Sequence, residues 1–260
     1  MRILKNINWM IVSMLSAATL AAPGYAKIEP EDIVGMWLFD GPEGDIVEDV
    51  SGNGHDGNIR EGIKWVKDGK FGSALEFPGL DPSYVSITHD DSLSLTTFTI
   101  TAWINMEMVP DRYPVVAAKF GANRNYGIAI NKNSEAPYLQ FHVGGQYNEF
   151  RANTKVTDKQ WHHVAATYDG KFVRFYVDGV PEAETAFSGA PDANDAPLTL
   201  GGGPGTSPAR GIIDEVGLFS RGLTGDEINQ LMTDGLEKAI GISAVDPVRK
   251  LATTWAKAKR

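Results

Sequence analysis

Between residues 33 and 219 the chain repeats one pattern. Short runs of alternating apolar and polar positions, rich in Val, Ile, Thr, Tyr, Phe and Trp, are separated by Gly, Pro, Asn and Asp. A period of two puts successive side chains on opposite faces of an extended strand. In the run 98–105, Phe98, Ile100, Ala102 and Ile104 fall on one face and Thr99, Thr101, Trp103 and Asn105 on the other. Similar runs at 34–39, 74–77, 84–88, 115–120, 126–131, 138–143, 161–168, 172–178, 198–201 and 212–219 predict an all-β chain. Roughly a dozen strands suit a two-sheet antiparallel sandwich and are too many for one small barrel.

The sharpest local signal is Asp169-Gly170 between the runs 161–168 and 172–178, which predicts a tight hairpin with both residues in the left-handed region. It puts Val173, Phe175 and Val177 on one face and Phe172, Arg174 and Tyr176 on the other, one face packing the core and the other lying beneath loops. One helix is predicted from Thr224, whose hydroxyl and Glu227 form a capping box ahead of Ile228, Leu231 and Met232 at helical spacing.

The two ends of the chain read differently. Arg2 and Lys5, an apolar stretch from Trp9 to Ala22 and small residues at Gly24 and Ala26 have the form of an export signal cleaved after Ala26. The stretch is shorter than the roughly 18 residues that span a membrane, so a secreted or periplasmic mature chain with no membrane span is expected. Residues 236–260 form a basic tail: six Lys and Arg stand against Glu237 and Asp246. It is solvated or, in a second reading, docks with Trp255 on an envelope protein partner.

Composition narrows the chemistry. The chain has 260 residues, 42% hydrophobic, and no Cys, which excludes disulfides, thiolate metal sites and cysteine nucleophiles. Its net charge of −9 falls to −11 without Arg2 and Lys5. Nucleic acid is not an expected partner for so acidic a body, because backbone binding requires a cationic surface. Adjacent His162 and His163 point to opposite faces of a strand, so they cannot chelate one zinc ion.

Several phrases then line up in order: Gly35-Met36-Trp37-Leu38-Phe39-Asp40, Asp49-Val50-Ser51-Gly52-Asn53-Gly54-His55-Asp56-Gly57 and Gly69-Lys70-Phe71-Gly72-Ser73-Ala74-Leu75-Glu76-Phe77. They continue with Phe98 to Ile104, Trp161 to Gly170, Gly211 to Val216 and Phe219 to Thr224. Over residues 27–235, and most closely from 33, the chain resembles the LamG-like domain of the concanavalin A-like lectin/glucanase superfamily. The resemblance implies a curved jelly roll acting in carbohydrate binding, adhesion or protein interaction. It also implies a structural calcium ion held between the first strand and a late one, at positions matching Asp40, the turn Asn53–Gly57 and Asp214. The plainer alternative is that Asp40 and Asp214 accept turn amides and that Asn53-Gly54 is an ordinary turn.

Two candidate sites remain. Glu43-x-Asp45-x-x-Glu48 resembles the signature of bacterial β-glucanases of the superfamily, whose outer Glu pair act as nucleophile and acid. Here Gly44 stands where that signature has an apolar residue, and turn residues flank the motif, so solvated loop acids are expected. The other is a recognition surface. Sugars are held by aromatic faces together with planar hydrogen-bonding groups. Arg112 and Tyr113, Arg124 and Tyr126, and Tyr147, Asn148 and Arg151 supply both kinds in three predicted loops. The expected function is an exported, non-catalytic recognition module for a polysaccharide or glycoconjugate. A glycan-cleaving enzyme using Glu43 and Glu48, or a protein-interaction domain, are the alternatives.

Overall fold

A computed structural model describes residues 27–241. Residues 1–26, where the sequence predicts an export signal, and the basic stretch beyond residue 241 lie outside the described residues. The alternating runs pair into two antiparallel sheets of eight strands each, the jelly-roll sandwich that the pattern predicts. The first sheet runs β14 (Val180–Ala186), β13 (Phe172–Val177), β12 (Asp158–Tyr168), β7 (Phe98–Glu107), β16 (Arg210–Phe219), β5 (Ala74–Pro78) and β4 (Lys64–Val66). Strand β1 (Ile33–Trp37) also pairs with β16. The second sheet runs β11 (Gln146–Arg151), β10 (Pro137–Val143), β9 (Arg124–Ile130), β8 (Val115–Phe120), β15 (Leu198–Leu200), β6 (Val85–Ile87), β3 (Gly57–Ile59) and β2 (Ile46–Val47).

The core lies between the sheets. On β7 the predicted alternation is observed: Phe98, Ile100, Ala102, Ile104 and Met106 point inward to meet Tyr126, Ile128, Leu139 and Phe141 of the other sheet. Each fully buried large side chain contributes about 1.5–3 kcal/mol of apolar transfer. The opposite face of β7 is buried too. Thr99 Oγ1 donates to Arg221 O at 2.7 Å and accepts from Leu223 N at 2.8 Å, tying the strand to the segment ahead of the first helix.

The predicted hairpin forms with a different turn. Tyr168 pairs with Val173 and Asp169 N donates to Phe172 O, so Gly170 and Lys171 are its central residues. Gly170 alone is left-handed, at φ 86°. Asp169 instead turns its carboxylate onto the amides of Lys171 and Phe172, at 2.8 and 2.7 Å, and this side-chain closure replaces the second left-handed residue. The core-facing side is that of Val173, Phe175 and Val177. Tyr176 does not lie beneath loops; it joins a second apolar cluster with Ile228 and Leu231.

Those residues belong to α1 (Gly225–Asp234), which is capped as its sequence predicts. Thr224 Oγ1 accepts from Glu227 N at 3.3 Å, and the buried Glu227 carboxylate accepts from Thr224 N at 2.7 Å and from both terminal nitrogens of Arg221. Thr224→Ala is expected to destabilise the domain by about 1 kcal/mol. Urea unfolding would check this, and an unchanged midpoint would mean that the Arg221 clamp alone holds the helix start. The fold does not stop at residue 235: α2 (Leu236–Ile240) buries Leu236 and Ile240 in the same cluster, so the tail begins later than the charge pattern suggests. Among the described residues no helix is long and apolar enough to cross a membrane.

His162 and His163 take opposite faces of β12, as the period requires. His162 lies between Asp158 and Asp178. His163 is 2% exposed, its Nε2 lies 2.6 Å from Thr101 Oγ1, and its Nδ1 has no partner. Burial pushes its pKa down to about 3. The imidazole is therefore neutral in the fold but takes up a proton in the unfolded chain below about pH 6.5. Its contribution is complete above that pH and is lost as pH falls toward 3. Between pH 7 and pH 5 the protein is expected to lose about 2 kcal/mol more than His163→Gln does. Parallel slopes for the two proteins in denaturant titrations would refute this.

Candidate functional site

The outer face of the second sheet carries a groove of about 380 Å³. It is built by alternation on two neighbouring strands. On β10, Leu139 and Phe141 point into the core, which leaves Tyr138, Gln140 and His142 facing outward. Pairing sets Arg151 opposite Tyr138, Glu149 opposite Gln140 and Tyr147 opposite His142. Cross-strand neighbours on one face lie within side-chain reach, so six groups form one surface.

The floor is apolar. Val115 and Ala118 of β8, Ala129 of β9, and Tyr138 form a small cluster with Phe120 packed against it. Gly127 of β9 makes room for the Phe120 ring, because a Cβ there would lie 2.5 Å from Phe120 Cζ and 2.7 Å from Ala118 Cβ. Tyr113 stands at one wall with its ring 6.0 Å from that of Tyr138, edge to face. The far rim is the loop Gly205-Thr206-Ser207, anchored where Val115 N donates to Ser207 O at 3.1 Å.

A planar polar network crosses this floor. The Arg124 guanidinium stacks 4.7 Å over the Phe120 ring and 5.4 Å from the Tyr147 ring, and it donates through Nη1 to Gln140 Oε1. Gln140 Nε2 donates to Tyr138 Oη at 3.2 Å, and Tyr147 Oη donates to Glu149 Oε2 at 2.6 Å. Arg151 Nε donates to Glu149 Oε1 at 2.5 Å. Burial, with the Glu149 charge added, pushes the Tyr138 hydroxyl up to about 12 and moves that of Tyr147 in the same direction, so both stay protonated donors. Aromatic faces beside amide, carboxylate and guanidinium groups can hold a ring with an apolar face and a hydroxyl-bearing edge.

The structure therefore gathers Tyr113, Arg124, Tyr147 and Arg151 into one groove. Arg112 lines an adjoining hollow of about 460 Å³ that shares the Gly205–Ser207 rim, and it pairs with Asp81 at 3.1 Å. Two predicted residues lie elsewhere. Tyr126 is fully buried on the core face of β9, and its hydroxyl donates to Leu93 O at 2.9 Å. Asn148 falls between Tyr147 and Glu149, so the period of β11 turns it away from the groove, and its amide donates to Gln146 O. Both departures have one cause: the segments 124–126 and 146–151 are strands rather than loops. Phe120, Tyr138 and Gln140 were missing from the sequence-based set. The signal for the last two was present in the outward positions of the run 138–143.

The implied metal positions separate into two places. Asp40 Oδ1 accepts from Ser73 N at 2.7 Å and Asp214 Oδ2 from Phe71 N at 3.0 Å, close enough that the Asp40 charge adds to burial in raising Asp214 to about 7. The loop between them needs glycine at both ends. A Cβ on Gly72 would collide with the Asp40 carboxylate, and one on Gly69 would lie 2.8 Å from Asp214 Oδ2. Asn53 does not join them; its amide donates to Ile33 O and Val34 O at 2.8 and 3.1 Å. Gly57 is paired in β3 against Ile87 and Val47. Among the described residues, no group of three or more His, Asp or Glu side chains is placed to hold a metal ion.

Glu43 and Glu48 are exposed at the two ends of β2, the edge strand opposite β11. Five strand spacings of about 4.8 Å put β2 roughly 24 Å from β9, so the pair does not share the groove.

Solved structures with this architecture include domain 4 of AbnA, an extracellular arabinanase from Geobacillus stearothermophilus, in complex with arabinotriose. It is 21% identical, with a TM-score of 0.64 over 78% of this chain and 98% of that one. The binding domain of Paraclostridial Mosquitocidal Protein 1 matches at 16% identity and a TM-score of 0.63, and the Trypanosoma rangeli sialidase in complex with sialic acid at 19% and 0.60. The matches cover 78% and 82% of this chain but only 52% and 34% of those proteins. No curated protein sequence matches the chain. A family model described as the concanavalin A-like lectin/glucanases superfamily matches residues 81–229, a segment that includes β6–β16 and every residue of the groove, and the chain belongs to that superfamily.

Proposed function

We propose that the protein is an exported, non-catalytic carbohydrate-binding module that holds a polysaccharide or glycoconjugate in the groove on the outer face of the second sheet. The observation that carries this reading is the pairing of an apolar floor, Phe120 and Tyr138, with the planar hydrogen-bonding groups of Arg124, Gln140, Glu149 and Arg151. Domain 4 of AbnA, which shares the fold, was solved with arabinotriose. Glu149 is the one carboxylate lining the groove among the described residues, whereas glycoside hydrolysis uses two flanking carboxyl groups. Affinity electrophoresis through a panel of soluble polysaccharides, with each lane assayed for released reducing ends, tests it. Retardation without product is expected. Product release would move the protein to the enzyme reading, and free migration on every polymer would end the carbohydrate reading.

A calcium ion belongs to this reading at Asp40 and Asp214 alone. A buried carboxylate, Asp214, and an exposed one, Asp40, beside a glycine-lined loop suit a hard cation, while Asn53 and Gly57 do not reach it. Bound calcium would staple the end of β1 to β16. At calcium tenfold above its Kd, linkage gives about 1.4 kcal/mol, or a rise in Tm of roughly 3–5 °C for a domain of this size. Calorimetry with calcium and with chelator checks this. Equal melting temperatures would leave Asp40 and Asp214 as acceptors of turn amides.

A further inference from the structure

We propose that the groove selects acidic glycans, with the carboxylate of a uronic or other acidic sugar seated on the Arg124 guanidinium; this deepens the carbohydrate reading and rests on it. The other charged groups of the groove are already paired. Arg151 and the Tyr147 hydroxyl occupy the two oxygens of Glu149. Lys132, which approaches the Tyr113 ring at 5.6 Å, is paired with Asp111 at 3.8 Å.

Arg124 is different. Its side-chain hydrogen-bond partner is the neutral carbonyl of Gln140, and among the described residues no carboxylate lies within ion-pair distance of it. The guanidinium is half-buried and held in place by the rings of Phe120 and Tyr147. Stacking of this kind limits the reorientation by which an exposed arginine would find a partner elsewhere. A guanidinium presents five donors in a fixed fork, and Gln140 takes only Nη1. The ligand chemistry that matches the remainder is a pair of coplanar oxygens bearing negative charge. A neutral sugar hydroxyl would satisfy one donor and leave the charge uncompensated. The setting sharpens the selection, because the chain as a whole carries −9 and repels polyanions except where a cation is left unpaired.

The test compares each acidic polymer, polygalacturonate, alginate and hyaluronate, with its own carboxyl-reduced form, so that linkage and length are held constant. Titration calorimetry is run on the wild type, Arg124→Gln and Arg124→Lys, with circular dichroism as the check on folding. The expected result is at least tenfold tighter binding of one acidic polymer than of its reduced form. That preference should be lost in Arg124→Gln and partly kept in Arg124→Lys. Equal affinity for acidic and reduced forms, or a preference that survives Arg124→Gln, overturns the acidic assignment and leaves the carbohydrate reading standing. Absence of binding to every polymer, acidic or neutral, overturns both. If Arg124→Gln fails to fold, the comparison of acidic and reduced polymers on the wild type still decides.

Discussion

Tyr147→Ala is expected to weaken glycan binding by roughly thirtyfold or more while leaving the fold intact, the behaviour of an aromatic hot spot. Tyr147 sits on the edge strand β11 and is 47% exposed, so its removal leaves no cavity in the core. Its ring lies beside both Arg124 and His142, and its hydroxyl holds one oxygen of Glu149. Alanine at this position removes a stacking face and one wall of the guanidinium sandwich. It also frees Glu149 to turn toward Arg124. The three losses act on one ligand, which is why the effect should exceed that of removing a single hydrogen bond. Titration calorimetry against the tightest polymer, paired with a thermal melt, separates binding from stability. Unchanged affinity with unchanged Tm would place the binding site outside this groove.

Phe141→Ala is expected to cost about 3–5 kcal/mol of stability, the range for deleting a buried aromatic ring. Phe141 neighbours Gln140 in sequence, yet it belongs to the other face of β10 and is fully buried. Its ring packs against Phe98 at 6.0 Å, Phe150 at 5.4 Å, Tyr168 at 5.2 Å and Phe187 at 5.4 Å. Phe98 and Tyr168 are fixed by burial and cannot follow the receding surface, so most of the lost volume remains as a cavity. Phe150 and Phe187 are only partly buried and can close some of it, which favours the lower half of the range. Urea unfolding gives the number. Below its transition the variant should bind glycan as the wild type does, because Gln140 and His142 keep their places. A loss under 1 kcal/mol would mean that the aromatic cluster repacks freely.

These two neighbours show what was legible in the chain. The run 138–143 alternates, and its period of two assigns Leu139 and Phe141 to one side and Tyr138, Gln140 and His142 to the other without any coordinates. The same rule reads β7, β12 and β13 correctly and separates His162 from His163. It fails where apolar residues are sparse. Strand β11, with Gln, Tyr, Asn, Glu, Phe and Arg in succession, reads as a polar loop because one of its faces serves the groove and only Phe150 packs against the core. Strand β14 is hidden for a related reason: Val180–Ala186 is a largely exposed edge strand. The short strands β2, β3 and β4 have too few residues to display a period.

The sequence by itself determined the class of fold, the capped helix at Thr224 and the residue types able to recognise a sugar. Each of these depends on residues within a few positions of one another, where φ, ψ and the strand or helix period decide the outcome. Only the tertiary structure decided which of the candidate recognition residues share one groove. Arg124 and Tyr147 meet through the pairing of β9, β10 and β11, and Asp40 and Asp214 meet although 174 positions apart. Tyr126 was lost to the core because β9 is a strand and its inner face had a space for that ring. Strand register is fixed by the burial of whole faces, a sum over many distant residues, and no local segment carries that information.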